Sequence, residues 1–159
     1  MTVVSDTSPL NYLVQIGAIE ILFQLFESIN IPGAVRDELL AIRAPAATQD
    51  WIANPPAGMI IHDLSFTSDP TLARIHAGER EAIQLAERLG ADLTLLDDRM
   101  AREIALARGI PVAGTLAVLD EAGTRGMVHI PTSVHRLRNT SFRARPALYD
   151  WLLDRHPAA

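Results

Sequence analysis

Short apolar runs alternate with helical stretches along this chain, and that alternation leaves few folds open. The clearest unit is Leu93-Thr94-Leu95-Leu96, a strand pattern closed by Asp97-Asp98 and followed by a helical stretch, Met100–Arg108, that stops at Gly109. Thr2–Asp6 reads as a buried strand, with Ser8 placed to N-cap a helix that has Pro9 at its first position and Gly17 as its stop. Further helices are predicted over Ala18–Phe26, Ala34–Arg43, Thr48–Ala53, Glu79–Leu89, Leu116–Arg125 and Pro146–Asp154, with a helical turn over Thr71–His76. Further strands are predicted over Ile29–Ile31, Met59–His62 and Ile110–Ala113. The segment Asn54-Pro55-Pro56-Ala57-Gly58 is a turn, and Asp63–Pro70 is a loop. Strands that alternate with helices predict an α/β fold, a parallel sheet covered on both faces. No repeat or linker divides the chain, so residues 1–159 are expected to form one domain.

Five carboxylates occupy positions that a core disfavours. Asp6 follows the apolar pair Val3-Val4, and Asp97-Asp98 closes the strongest strand. Glu38 shares a helical face with Val35, Leu39 and Ile42, and Glu79 lies three and four residues before Ala82 and Ile83. Glu81 sits at the boundary of that second face. Each has an ordinary structural reading: a turn for Asp6, a buried ion pair for Glu38, a helix-dipole partner for Glu79, an N-cap for one of Asp97 and Asp98. Taken jointly they point elsewhere. In open parallel sheets the crevice lies beyond the carboxyl ends of the strands, where strand-end and helix-start acids meet. Burying several such charges costs several kcal/mol each, roughly, unless something compensates them. Hard oxygen ligands suit Mg²⁺ or Mn²⁺, ions that activate water and clamp a phosphodiester.

Composition removes competing chemistries. There are no cysteines, so disulfides, thiolate metal sites and cysteine nucleophiles are excluded. All 14 basic residues are arginine, which excludes Schiff-base chemistry and the P-loop lysine. The absence of lysine also weighs against phospho-acceptor receiver domains and aspartyl-phosphate phosphatases. Histidines 62, 76, 129, 135 and 156 lack zinc-ligand spacing. A net charge of −5 argues against a protein that coats nucleic acid. The stretch from Ala122 to Tyr149 nonetheless holds no acid, and Arg136, Arg138, Arg143 and Arg145 fall there as candidate phosphate contacts. No apolar run reaches a membrane span and no secretory leader opens the chain, so a cytoplasmic location without membrane attachment is expected.

Several segments together resemble the PIN-domain family. They are Asp6-Thr7-Ser8-Pro9-Leu10, Ile31-Pro32-Gly33-Ala34-Val35-Arg36-Asp37-Glu38-Leu39, Gly78-Glu79-Arg80-Glu81-Ala82-Ile83-Gln84-Leu85-Ala86, Leu95-Leu96-Asp97-Asp98-Arg99-Met100-Ala101-Arg102 and Gly114-Thr115-Leu116-Ala117-Val118-Leu119. The similarity spans about residues 2–120, and order and spacing make it specific. It implies a three-layer α/β/α fold and a Mg²⁺- or Mn²⁺-dependent ribonuclease. By position, Asp6, Glu38, Glu79 and Asp98 match the family's acidic quartet, with Asp97 as the alternative to Asp98, and Thr7 or Ser8 matches the hydroxyl beside the first acid. Glu79 stands where many members have Asp, and Glu81 is a spare acid in the same motif.

Many small stand-alone members of the family are VapC-type toxins. The resemblance therefore implies an RNA substrate and a small antitoxin partner. A homodimer is also expected, with the apolar helices near Leu10–Phe26 as a candidate face. The arginines at 136–145 would hold the RNA backbone. Two other functions fit the same residues: a non-catalytic PIN-like binding module, and a metal-dependent phosphatase acting on small phosphate esters.

Overall fold

The computed structural model describes residues 1–158. Its centre is a sheet of five strands in the order β3-β2-β1-β4-β5: β1 (Val3–Ser5), β2 (Ile29–Pro32), β3 (Met59–His62), β4 (Leu93–Leu95) and β5 (Val112–Ala113). Every pairing is parallel. Val3, Val4 and Ser5 lie opposite Leu93, Thr94 and Leu95, and Ile29 to Pro32 lie opposite Met59 to His62. Central parallel strands are buried on both faces, which is why β1 and β4 read as apolar runs rather than alternating ones.

Parallel neighbours need a crossover, and helices provide it. Helices α1 (Thr7–Gln15) and α2 (Glu20–Phe26) join β1 to β2, and α3 (Gly33–Leu40) and α4 (Ala46–Ala53) join β2 to β3. Helix α5 (Ala77–Leu89) leads to β4, and α6 (Arg99–Ala107) leads to β5. Helices α7 (Thr115–Thr124), α8 (Ile130–Arg138) and α9 (Pro146–Arg155) follow. Successive strand residues feed opposite faces of the sheet. Val3 and Leu95 join a core with Leu10, Leu22, Leu119, Leu137 and Leu152, whereas Val4 and Leu96 join one with Ile83, Leu85, Ala101 and Ala105. Helices α1, α2, α7, α8 and α9 therefore cover one face, and α5 and α6 the other. This is the three-layer α/β/α arrangement.

The winding reverses between β1 and β4. From β1 the chain lays down β2 and β3 on one side, then returns to add β4 and β5 on the other. The crevice of such a sheet opens beyond the carboxyl ends of the strands at this switch point. Asp6 follows β1 directly, and Asp97 comes two residues after β4.

Two local expectations are corrected. Helix α1 begins at Thr7, so Asp6 rather than Ser8 takes the N-cap position and Pro9 falls at the third helical residue. Helix α3 stops at Leu40, because Ala41 turns extended and the Gln49 side-chain amide donates to the carbonyls of Ala41 and Ala44 at 3.0 and 2.8 Å. Ile42 is consequently 95% exposed and forms no core stripe with Glu38. Helix α8, not predicted from the sequence, begins at Ile130, where the His129 ring accepts the Thr132 N–H. Histidine lies outside the usual N-cap residues, so Pro131 in the first turn was the start signal the sequence offered there. Leu10, Leu13, Ile21 and Leu22 of α1 and α2 point into the core, while Phe23, Leu25 and Phe26 of α2 are only partly buried. Among the described residues no helix is long and apolar enough to cross a membrane.

Candidate active site

The switch point gathers the acids from four directions. Asp6 is fixed by its own backbone: its N–H donates to the Leu95 carbonyl at 3.0 Å, carrying the β1–β4 ladder one residue past the strand. Its side chain is 3% exposed, makes no capping bond to α1, and leaves Oδ1 buried without a hydrogen-bond partner. Burial pushes the Asp6 carboxyl up to about 8. The Thr7 N–H opposes that rise, and the charges of Glu79, Glu38 and Asp97 reinforce it.

Glu79 arrives on the first turn of α5. It is buried, and its Oε2 also lacks a partner. Burial first, then the negative charge of Asp98, lifts its carboxyl to about 7, against smaller opposing effects from His76. Glu38 comes from α3 and is half-buried. It accepts the Thr7 hydroxyl at 3.2 Å. Burial raises its carboxyl, while the Thr7 hydroxyl, His76 and the Gly78 N–H restrain it. Gly78 is required for this approach, because a Cβ there would overlap the Glu38 carboxylate. The helix-start glycine and the acid from α3 are thus one packing unit.

The adjacent pair after β4 divides its work. Asp97 accepts the Thr115 N–H at 2.7 Å on Oδ1 and the Thr115 hydroxyl at 2.6 Å on Oδ2, so it ties the end of β4 to the start of α7. Burial still raises its carboxyl, against these two bonds and the charge of Arg102. Asp98 N-caps α6, with Oδ2 accepting the Ala101 N–H at 2.9 Å, and lies within hydrogen-bonding reach of Glu79. The spare acid Glu81 accepts the Ala34 N–H at 3.3 Å and so serves the N-terminus of α3.

No ion pair among the described residues neutralises the group, and Arg102 acts on Asp97 only from beyond ion-pair contact. Among the described residues, none of Asp6, Glu38, Glu79, Glu81, Asp97 and Asp98 takes part in an ion pair. Nor do three of the described acidic or histidine side chains already surround a common point as ligands would. The donor chemistry nonetheless fits a hard divalent ion. Asp6 and Glu79 carry bare buried oxygens, and both carboxyls hold protons into the neutral range that such an ion would displace.

A PIN-domain family model matches residues 2–157. The chain belongs to the PIN-domain family. Searches of the curated proteins and of the solved structures gave no significant match. PIN domains are generally nucleases and typically use divalent metal ions, so a nuclease-type function belongs to this PIN domain as a class.

The remaining candidates separate. Thr7 is in the site, bonded to Glu38, whereas Ser8 makes no side-chain hydrogen bond to any described residue. Arg136 donates to the Ile16 carbonyl at 3.3 Å, beyond the far end of α1, a helix roughly 13 Å long at 1.5 Å per residue. Arg138 stacks over the Tyr149 ring at 4.7 Å. These two are engaged away from the acids. Arg143 and Arg145 instead line grooves that reach Asp97. Sequence reasoning missed Arg99 and Arg102 of α6, which line the same groove, and the clamp role of Thr115. The signal for the arginines was available, since both follow Asp97-Asp98 at one helical spacing.

Proposed function

We propose that this PIN domain is a Mg²⁺- or Mn²⁺-dependent endoribonuclease. The observation that carries the reading is the pair of partnerless buried oxygens, Asp6 Oδ1 and Glu79 Oε2, at the switch point of the sheet with no arginine in ion-pair contact. A bound divalent ion supplies Lewis acidity, lowering the pKa of its water and offsetting phosphate charge. Asp6 and Glu79 would hold it, with Asp98 reinforcing Glu79. Asp97 acts as a positioning residue, because Thr115 occupies both of its oxygens. Glu38, held by Thr7 and by close approach to Gly78, would accept a proton from a water in the cleft.

Cleavage of a single-stranded RNA in Mn²⁺ tests this. Wild-type protein should cut it, chelation should stop the reaction, and Asp6→Asn should abolish it while the fold persists. Undiminished cleavage by that variant would reject the site. The finer reading is a toxin of a toxin–antitoxin pair, with a small antitoxin as partner and a homodimer as its assembly. Growth arrest on expression of the wild type but not of Asp6→Asn supports it, and relief by a short neighbouring reading frame identifies the partner.

One observation favours a second reading. No three of the described acidic or histidine side chains share one point as ligands would, which also suits a PIN-like module that binds a basic partner without catalysis. Calorimetry decides between them: absence of Mn²⁺ binding by the purified protein supports the module.

A further inference from the structure

Helix α9 presents two faces of opposite character. Tyr149 and Leu152 are buried in the core, whereas Leu148 and Trp151 are 47% and 44% exposed. These exposed side chains do not face open solvent alone. With Leu116 of α7 and Phe142 they line a cavity of about 350 Å³, within the range of small-ligand sites. Arg102 and Arg143 also line it, and so does Asp97. Arg102, Arg143 and Asp97 are shared with a second groove of about 600 Å³, between α6 and α9, where Arg99 and Arg145 join them. Arg102, Arg143 and Arg145 form no ion pair among the described residues.

The combination is selective. An apolar cavity with two aromatic walls suits a flat π-system, and free guanidinium groups at its side suit phosphate. An apolar peptide has no need of Arg102, Arg143 and Arg145 unpaired beside the slot, and the one further acid of the second groove, Glu103, is already held by Arg99. In a chain of net charge −5 this local excess of arginine is complementary to an anionic strand. Resting on the nuclease reading, we propose that this cavity is a nucleobase subsite. It holds the base of an unpaired nucleotide next to the scissile phosphate, with Arg102 and Arg143 on its phosphates and the strand continuing past Arg99 and Arg145.

The experiment uses full-length protein carrying Asp6→Asn, to prevent turnover, and Trp51→Phe, to leave Trp151 as the sole indole. A labelled single-stranded RNA 12-mer is titrated while anisotropy and Trp151 emission are followed, and the titration is repeated with an abasic 12-mer. The intact strand should quench Trp151 and bind about tenfold more tightly than the abasic one, the scale of one stacked base. Trp151→Ala should weaken binding of the intact strand about tenfold and remove the difference between the strands. Ala117→Phe, which fills the cavity from an exposed position, should do the same if the first variant folds poorly. Arg143→Ala should lower the salt slope of binding by about one. Equal affinity for the two strands, an unmoved Trp151 signal at saturation, or no binding at all overturns the subsite. An emission change with an acidic peptide but not with RNA overturns it in favour of a protein partner. Cleavage of the same 12-mer in Mn²⁺ by protein with Asp6 intact separates the two ideas. Cleavage without base dependence removes the subsite alone, and base-dependent binding without cleavage removes the nuclease reading alone.

Discussion

Asp6→Asn should stabilise the metal-free protein, and the size of the gain should depend on pH in a calculable way. Asp6 titrates near 8 in the folded chain against 3.8 for the unfolded reference. Between those values the native state holds a proton that the unfolded state has released, so stability falls as pH rises. At about 1.4 kcal/mol per pH unit, a rise of roughly four units removes about 5 kcal/mol. The group is almost wholly buried, so solvent screening reduces that figure little. Asparagine has nearly the same shape and cannot ionise. At pH 5, where Asp6 is itself neutral, the two proteins should differ by about 1 kcal/mol or less, the scale of an imperfectly satisfied amide. At pH 8 in EDTA the variant should be more stable by about 4 kcal/mol, or about 8–16 °C in Tm for a domain of this size. Urea denaturation from pH 5 to pH 8.5 reads this directly. Parallel stability curves for the two proteins, or a variant less stable at pH 8 than the wild type, would show that Asp6 is not a buried charge awaiting a cation.

Three further outcomes follow from the same geometry. Addition of Mn²⁺ at pH 7 should raise the wild-type Tm and release about one proton or more per bound ion, because Asp6 and Glu79 must ionise to ligate; calorimetry in buffers of different ionisation enthalpy measures the count. Gly78→Ala should lower Mn²⁺-dependent cleavage at least about tenfold with little loss of stability, since the new Cβ displaces only the flexible end of the Glu38 side chain and alanine favours the helix; unaltered cleavage shows that Glu38 tolerates displacement. Thr115→Val should cost about 1–3 kcal/mol in urea denaturation by stripping the hydroxyl from Asp97, and Thr115→Ser should restore most of it.

The fold was largely legible because its strands are short, buried and parallel. β1 and β4 read as apolar runs, and a run closed by an acid marks a strand end in this architecture. The acids were legible for the same reason, since a carboxylate at the end of a buried strand has few ordinary uses. What stayed hidden depended on contacts distant in sequence. Nothing local to Asp97 announces that Thr115, 18 residues away, takes both its oxygens. Nothing local to Gly78 shows that Glu38 needs its missing side chain. The basic stretch misled in part, because charge along a segment does not say which way each side chain turns. Arg143 and Arg145 reach the grooves at the acid edge, while Arg136 and Arg138 are held at Ile16 and Tyr149.

Adjacent acids need not share a role, and Asp97 and Asp98 illustrate how the hydrogen-bond inventory separates them. A carboxylate whose two oxygens are both bound by donors at 2.6 and 2.7 Å is already solvated by protein, and a cation gains little by approaching it. Asp98 spends Oδ2 on the α6 cap and lies beside Glu79. Asp6 and Glu79 each keep an oxygen with no partner at all. Unpaired buried oxygens are expensive, so the fold tolerates them where the native state acquires the missing partner. The same sheet edge thus carries one acid bound on both oxygens by Thr115, one that caps α6 beside Glu79, and two with an oxygen that no described residue satisfies.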